Sequence, residues 1–68
     1  MVGIRIAQLR QDRGFKQADL ADLLHISASA VGMYEQGRRL PSLNTVISLC
    51  QIFDVTADYL LTGKEPQK

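Results

Sequence analysis

Residues 17–36 read QADLADLLHISASAVGMYEQ, and this stretch has the spacing of two short helices. Apolar side chains recur at intervals of three and four, the period of one helix face, at Leu20, Ala21 and Leu24. This spacing predicts a helix over Gln17–Leu24. Ser27 is a good N-cap and Gly37 a good C-terminal stop, so a second helix is predicted over Ala28–Gln36. A turn of three residues joins the two.

The pairing of these helices matches the geometry of a helix-turn-helix. The positions that lock two helices at a steep angle are apolar, namely Leu20, Leu24, Ile26, Val31 and Tyr34. Ala21 supplies a small side chain where the second helix must approach closely. His25 lies in the turn, and histidine tolerates a left-handed backbone better than most residues, at some steric cost. A generic helical hairpin would share some of these features, but all of them within twenty residues favour the helix-turn-helix.

Three more helices are predicted around this motif, over Ile4–Arg13, Leu43–Phe53 and Ala57–Leu61. Gly14, Ser42, Thr56 and Gly63 stand where caps belong. The first helix directs Ile6, Leu9 and Arg10 toward the core, and the fourth directs Leu43, Val46, Leu49, Cys50 and Phe53 inward. The sequence therefore predicts a compact all-α, five-helix domain over residues 1–63, followed by a polar tail, residues 64–68, that we expect to be frayed.

The composition limits the classes of protein to which the chain can belong. The chain has 68 residues, 46% of them hydrophobic and 22% charged, which suits one small soluble domain. It has no apolar run of membrane-spanning length and no secretory segment, and its single cysteine, Cys50, has no partner, so we expect a cytoplasmic protein. The one histidine and the lack of a nucleophile–base pair predict no enzyme, metal, cofactor or small-molecule ligand.

Three stretches of the chain resemble the Cro/CI-type (Xre-like) helix-turn-helix regulators of phages and bacteria: IRIAQLRQDRGFKQADLADLL, ISASAVGMYEQGRRLPSLNTV and FDVTADYLL. The resemblance covers about residues 4–62. It implies a Cro/CI repressor-like fold whose second and third helices sit on the major groove of double-stranded DNA. It also implies a small transcriptional regulator, most often a repressor, that binds a palindromic operator as a homodimer.

The resemblance also bears on single positions. The family pattern implies that Arg10 and Glu35 pair with each other, as a partly buried structural ion pair and not as DNA contacts. Lys16 stands where the family more often has a small capping residue such as serine, and His25 where it usually has glycine.

The third helix offers its outward face to DNA. The predicted base-facing residues are Ala28, Ser29, Gly32, Met33 and Gln36. Ala28 and Met33 can contact thymine methyl groups, whereas Ser29 can hydrogen-bond with any base. Gly32 costs about 1 kcal/mol of helix stability relative to alanine, which is explained either by a close approach of its backbone to DNA or by simple tolerance. Such a face reads with few bidentate contacts, so we expect phosphate contacts and DNA shape to contribute strongly.

A second set of residues is predicted to bind the DNA backbone: Lys16, Gln17, Arg38, Arg39 and Ser42. They lie at or beside the N-termini of the second and fourth helices, where free backbone amides attract phosphate. A solvated side chain is the alternative for Lys16, and a solvated loop is the alternative for Arg38 and Arg39. For the whole domain the alternative is a protein-interaction or antitoxin-like module that keeps this fold without reading bases.

Overall fold

The computed structural model describes residues 2–64, which form five α-helices. The helices are α1 (Val2–Asp12), α2 (Gln17–Leu24), α3 (Ala28–Glu35), α4 (Leu43–Phe53) and α5 (Ala57–Thr62). The predicted all-α five-helix class is confirmed, and no strand occurs within the described residues. The predicted bounds hold for α2 and α4 and differ by one or two residues at the ends of the others. The fraying predicted for the tail concerns mainly residues 65–68, which lie outside the described part.

Side-chain caps define where three helices begin. The hydroxyl oxygens of Ser27, Ser42 and Thr56 accept hydrogen bonds from backbone amides three residues ahead, at 3.0, 3.2 and 3.1 Å. At α2 the N-cap is Lys16, whose ammonium cannot accept a hydrogen bond. Asp19 compensates in part, because its carboxylate accepts from the Lys16 backbone amide at 2.8 Å.

One core joins all five helices. Its fully or nearly fully buried side chains are Ile6, Leu9, Leu20, Ala21, Val31, Tyr34, Val46, Leu49, Phe53 and Leu60. The prediction that Leu43 faces inward is wrong, because this side chain is 76% exposed. Leu43 is the first residue of α4, one turn before Val46, and its exposure shows that none of the described helices covers that turn. Within residues 2–64, no helix is long and apolar enough to cross a membrane.

Helix α1 holds α3 in place through a close backbone contact. Gly3 lies against the carbonyl groups of Tyr34 and Glu35, at the end of α3, and a side chain at this position would overlap both oxygens. Leu9 and Ile6 follow on the same side of α1 and enter the core. The orientation of α3 therefore depends on a glycine in the first turn of α1.

The turn between α2 and α3 depends on a left-handed residue. His25 has φ 59° and ψ 41°, the conformation predicted for it, and its side chain is exposed. Its backbone amide donates to the carbonyl of Asp22 at 3.3 Å, which ends α2.

Replacing His25 with glycine is expected to raise the free energy of unfolding slightly, by at most about 1 kcal/mol. The substitution removes the steric cost of a Cβ in the left-handed region, and the larger entropy of the unfolded chain offsets part of that gain. Urea denaturation measures the change. His25→Ala is the matched control, since it keeps the Cβ and should gain nothing. An unchanged or lower stability of His25→Gly would contradict the prediction.

Candidate DNA-binding face

The outward side of α3 forms a shallow depression of about 440 Å³. Its lining comprises Gln17, Ala28, Ser29, Gly32, Met33, Gln36 and Arg38. All five residues predicted to face bases are therefore brought together, along with two of the five predicted to bind phosphate. Small side chains on α3 make this surface concave where a helix is normally convex.

Exposure differs among the residues of α3 in this depression. Ala28 and Ser29 are exposed, as is Gln36 just after the helix, while Met33 is half-buried. Gly32 is buried, because the carboxamide of Gln17 covers it. A Cβ built on Gly32 would lie 3.7 Å from Nε2 and 3.8 Å from Oε1 of Gln17. A molecule that approaches this position meets the amide of Gln17 before it meets the backbone of the glycine.

A chain of three polar side chains leads from the core to this face. Arg10 donates from Nε to Oε2 of Glu35 at 2.6 Å and from a terminal nitrogen to Oε1 at 3.2 Å. Gln17 donates from Nε2 to the same Oε1 at 3.0 Å. The side chains of Arg10 and Glu35 are only 12% and 9% exposed. The pairing that the resemblance implied is thus present, and Gln17 extends it to the surface.

Charge complementarity favours the ionised form of Arg10. Hydrogen bonding to Glu35 raises the pKa of the Arg10 guanidinium, against the opposing effect of burial. Arg10 also donates to the backbone carbonyl of Phe15 at 2.8 Å, between α1 and α2. Because its donors are directed at these partners, Arg10 belongs to the scaffold of the face.

The other three residues predicted to bind phosphate do not line the depression. Lys16 is exposed at the beginning of α2, and Arg39 is exposed in the loop after α3. Ser42 caps α4, and its hydroxyl also lies 3.0 Å from that of Thr45.

Sequence reasoning missed two features of this face. It did not connect Gln17 with Glu35, and it did not predict that Arg38, assigned to phosphate binding, lines the same depression as the base-facing residues. One signal was available for the first: a glycine in the middle of an exposed helix face leaves space that a neighbouring side chain can fill. Among residues 2–64 no cluster of His, Cys, Asp and Glu side chains is arranged to hold a metal ion.

Comparison with known proteins identifies the family to which the chain is similar. The Helix-turn-helix family profile matches residues 6–60. The SPbeta prophage-derived HTH-type transcriptional regulator YonR of Bacillus subtilis is 37% identical over 67 residues, 98% of this chain and 62% of YonR. The HTH-type transcriptional regulator AnsR of the same organism is 42% identical over 64 residues, 94% of this chain and 54% of AnsR.

A solved structure has the same fold. The P22 c2 repressor in complex with a synthetic operator superposes with a TM-score of 0.89 and 26% identity, covering 94% of this chain and 97% of that one. The chain spans little more than half the length of the two Bacillus relatives. Since the family profile covers most of the sequence and the fold matches, the chain belongs to the Cro/CI-type (Xre-like) helix-turn-helix family.

Proposed function

We propose that this protein binds double-stranded DNA in a sequence-specific manner and represses transcription, with α3 in the major groove. The observation that carries the proposal is the concave outer face of α3, where all the predicted base-facing residues meet. Two relatives named as transcriptional regulators and a repressor solved with its operator support it. The protein acts by binding alone, without catalysis, and in the cytoplasm.

Different residues of the protein are suited to contact the DNA backbone and the bases. Lys16, at the beginning of α2, and Arg39, in the loop after α3, are exposed and supply positive charge to phosphates. In the depression, Ala28 and Met33 offer apolar contact to thymine methyl groups, and Gln36 offers an exposed amide that can pair with adenine. Few strong base contacts are available, so affinity depends heavily on the phosphates.

Assembly as a homodimer on a palindromic operator is part of the proposal. A single small module reaches only a few base pairs, and two half-sites supply the missing specificity. Three large apolar side chains near the beginning of α4 are exposed, by 77% at Leu40, 76% at Leu43 and 49% at Ile47. Their exposure supports association with a second copy of the chain that would bury them.

The decisive experiment selects bound duplexes from a random pool and then titrates the best sequence with salt. A regulator enriches one sequence and binds it less tightly as salt rises, because phosphate contacts release counterions. A protein-interaction module would not bind duplex DNA even at low salt, and that result would overturn the proposal.

Two substitutions are expected to separate backbone contacts from base contacts. Arg39→Ala should weaken binding to all sequences and reduce the slope of log affinity against log salt by about one. Met33→Ala should leave that slope unchanged but relax the preference for thymine at the position it contacts. Each variant serves as the control for the other in the same selection. An unchanged selected sequence with Met33→Ala would show that Met33 does not face a base.

A further inference from the structure

We propose that the depression on the outer face of α3 binds the C5-methyl group of a pyrimidine base, so that 5-methylcytosine is accepted where the operator carries thymine. Methylation of a cytosine at that position therefore strengthens the complex with DNA. This inference rests on the proposed function and names the chemical group that the reading face recognises.

The shape of the face is the first step. The outer surface of a helix is normally convex, but here the small residues Ala28, Ser29 and Gly32 leave a depression of about 440 Å³. A molecule that enters it meets the amide of Gln17 before it meets the backbone of Gly32. A concave surface suits a group that projects from a base edge, and in the major groove the C5-methyl of a pyrimidine is such a group.

The chemistry of the lining is the second step. Met33 is half-buried and Ala28 is exposed, and both contribute apolar side chains to the depression. A thioether side chain is polarisable and adapts to the shape of the group that it contacts. Because the protein already buries part of Met33, packing a methyl group against this side chain costs little additional side-chain entropy. The two side chains therefore gain free energy from the methyl group of the base.

The hydrogen-bonding residues of the lining do not exclude cytosine, which is the third step. Thymine accepts a hydrogen bond at O4, whereas cytosine donates one from N4. The hydroxyl of Ser29 and the amide of Gln36 can each donate and accept, so either base can be satisfied. Arg38 can only donate, but its preference for an oxygen acceptor is the same with and without the methyl group. The contribution of the methyl group is therefore expected on both pyrimidines.

The test varies the methyl group alone, at each thymine of one half-site of the selected operator in turn. Two pairs of duplexes are compared: thymine with uracil, both opposite adenine, and 5-methylcytosine with cytosine, both opposite guanine. At the position that faces the depression, the methylated member of each pair should bind about fourfold more tightly, the effect of removing one methyl-sized group from water. Fluorescence anisotropy measures the four dissociation constants.

The variant Met33→Ala shows whether the protein itself contacts the methyl group. The advantage of both methylated duplexes should fall to less than about twofold, because the side chain that packs against the methyl is lost. Arg39→Ala is the control, since Arg39 does not line the depression: it should weaken all four duplexes alike and keep the fourfold ratios. Each readout is a ratio of two affinities of the same protein, so a loss of folded protein cancels.

The outcomes separate this inference from the proposed function. If the wild-type protein enriches no duplex sequence, the proposed function fails. If it enriches a sequence in which no thymine is distinguished from uracil, or if 5-methylcytosine binds no better than cytosine, the proposed function stands and this inference is overturned. A methyl advantage that Met33→Ala retains in full would also overturn it, because the methyl group would then act through the shape of the DNA.

Discussion

Replacing Arg10 with alanine is expected to lower the free energy of unfolding by about 3 kcal/mol, because it leaves the carboxylate of Glu35 without its ionic partner. That carboxylate is only 9% exposed, so water cannot replace the guanidinium fully. The substitution also removes the hydrogen bond that Arg10 donates to the Phe15 carbonyl. For a domain of this size the melting temperature should fall by roughly 12–24 °C. Urea denaturation and thermal melting, followed by circular dichroism, measure both quantities.

Arg13→Ala is the matched control for this prediction. Arg13 follows α1 directly, and its guanidinium donates to the Phe53 carbonyl at 2.7 Å and lies 5.6 Å from the centre of the Phe53 ring. Arg13 is exposed and pairs with no buried carboxylate, so its loss should cost about 1 kcal/mol. Equal effects of the two substitutions would argue against a special role for the ion pair.

The partner substitution completes the test. Glu35→Ala should also destabilise the protein, and the effects of the two single substitutions should not add in the double variant, because both remove the same interaction. The pKa of Arg10 is raised in the folded protein, so the proton is held more tightly there than in the unfolded chain. Its contribution to stability is therefore fully present at neutral pH and is lost only in strongly alkaline solution. Wild-type stability in both single variants would contradict the assignment.

Local signals were enough to predict the helices. Caps such as Ser27, the left-handed His25 and the apolar spacing in α2 act within a few residues, so the sequence displays them directly. Prediction from local signals fails at Leu43. Its spacing from Val46 is that of a buried stripe, but burial depends on which distant helix covers that turn, and none does.

The candidate face was predictable as a set of residues but not as an arrangement. The residues of α3 that face outward follow from its period, and the Arg10–Glu35 pair followed from the resemblance. The contact between Gln17 and Glu35 joins residues 18 positions apart and depends on the angle between α2 and α3. Only the folded structure fixes that angle, and with it the contact between Gln17 and Glu35.

Gly3→Ala and Gly32→Ala are expected to change stability in opposite directions. Both replace a buried helical glycine, so both gain up to about 1 kcal/mol of intrinsic helix propensity. At Gly32 the added methyl group meets the Gln17 amide at ordinary contact distance, and the gain should appear as higher stability. At Gly3 the methyl group overlaps the backbone carbonyls of Tyr34 and Glu35, so the free energy of unfolding should fall by about 1–3 kcal/mol.

The overlap at Gly3 cannot be relieved cheaply. Movement of a flexible side chain does not help, since the obstacles are backbone atoms of α3. Unwinding the first turn of α1 would avoid the overlap, but it would expose Val2, which packs against the core. Displacing α3 instead would shift the proposed reading face, so Gly3→Ala should also bind the selected operator less tightly at temperatures where it is folded. Urea denaturation of both variants measures the change in the free energy of unfolding that each substitution causes. Equal changes would contradict the close backbone contact between α1 and α3 at Gly3.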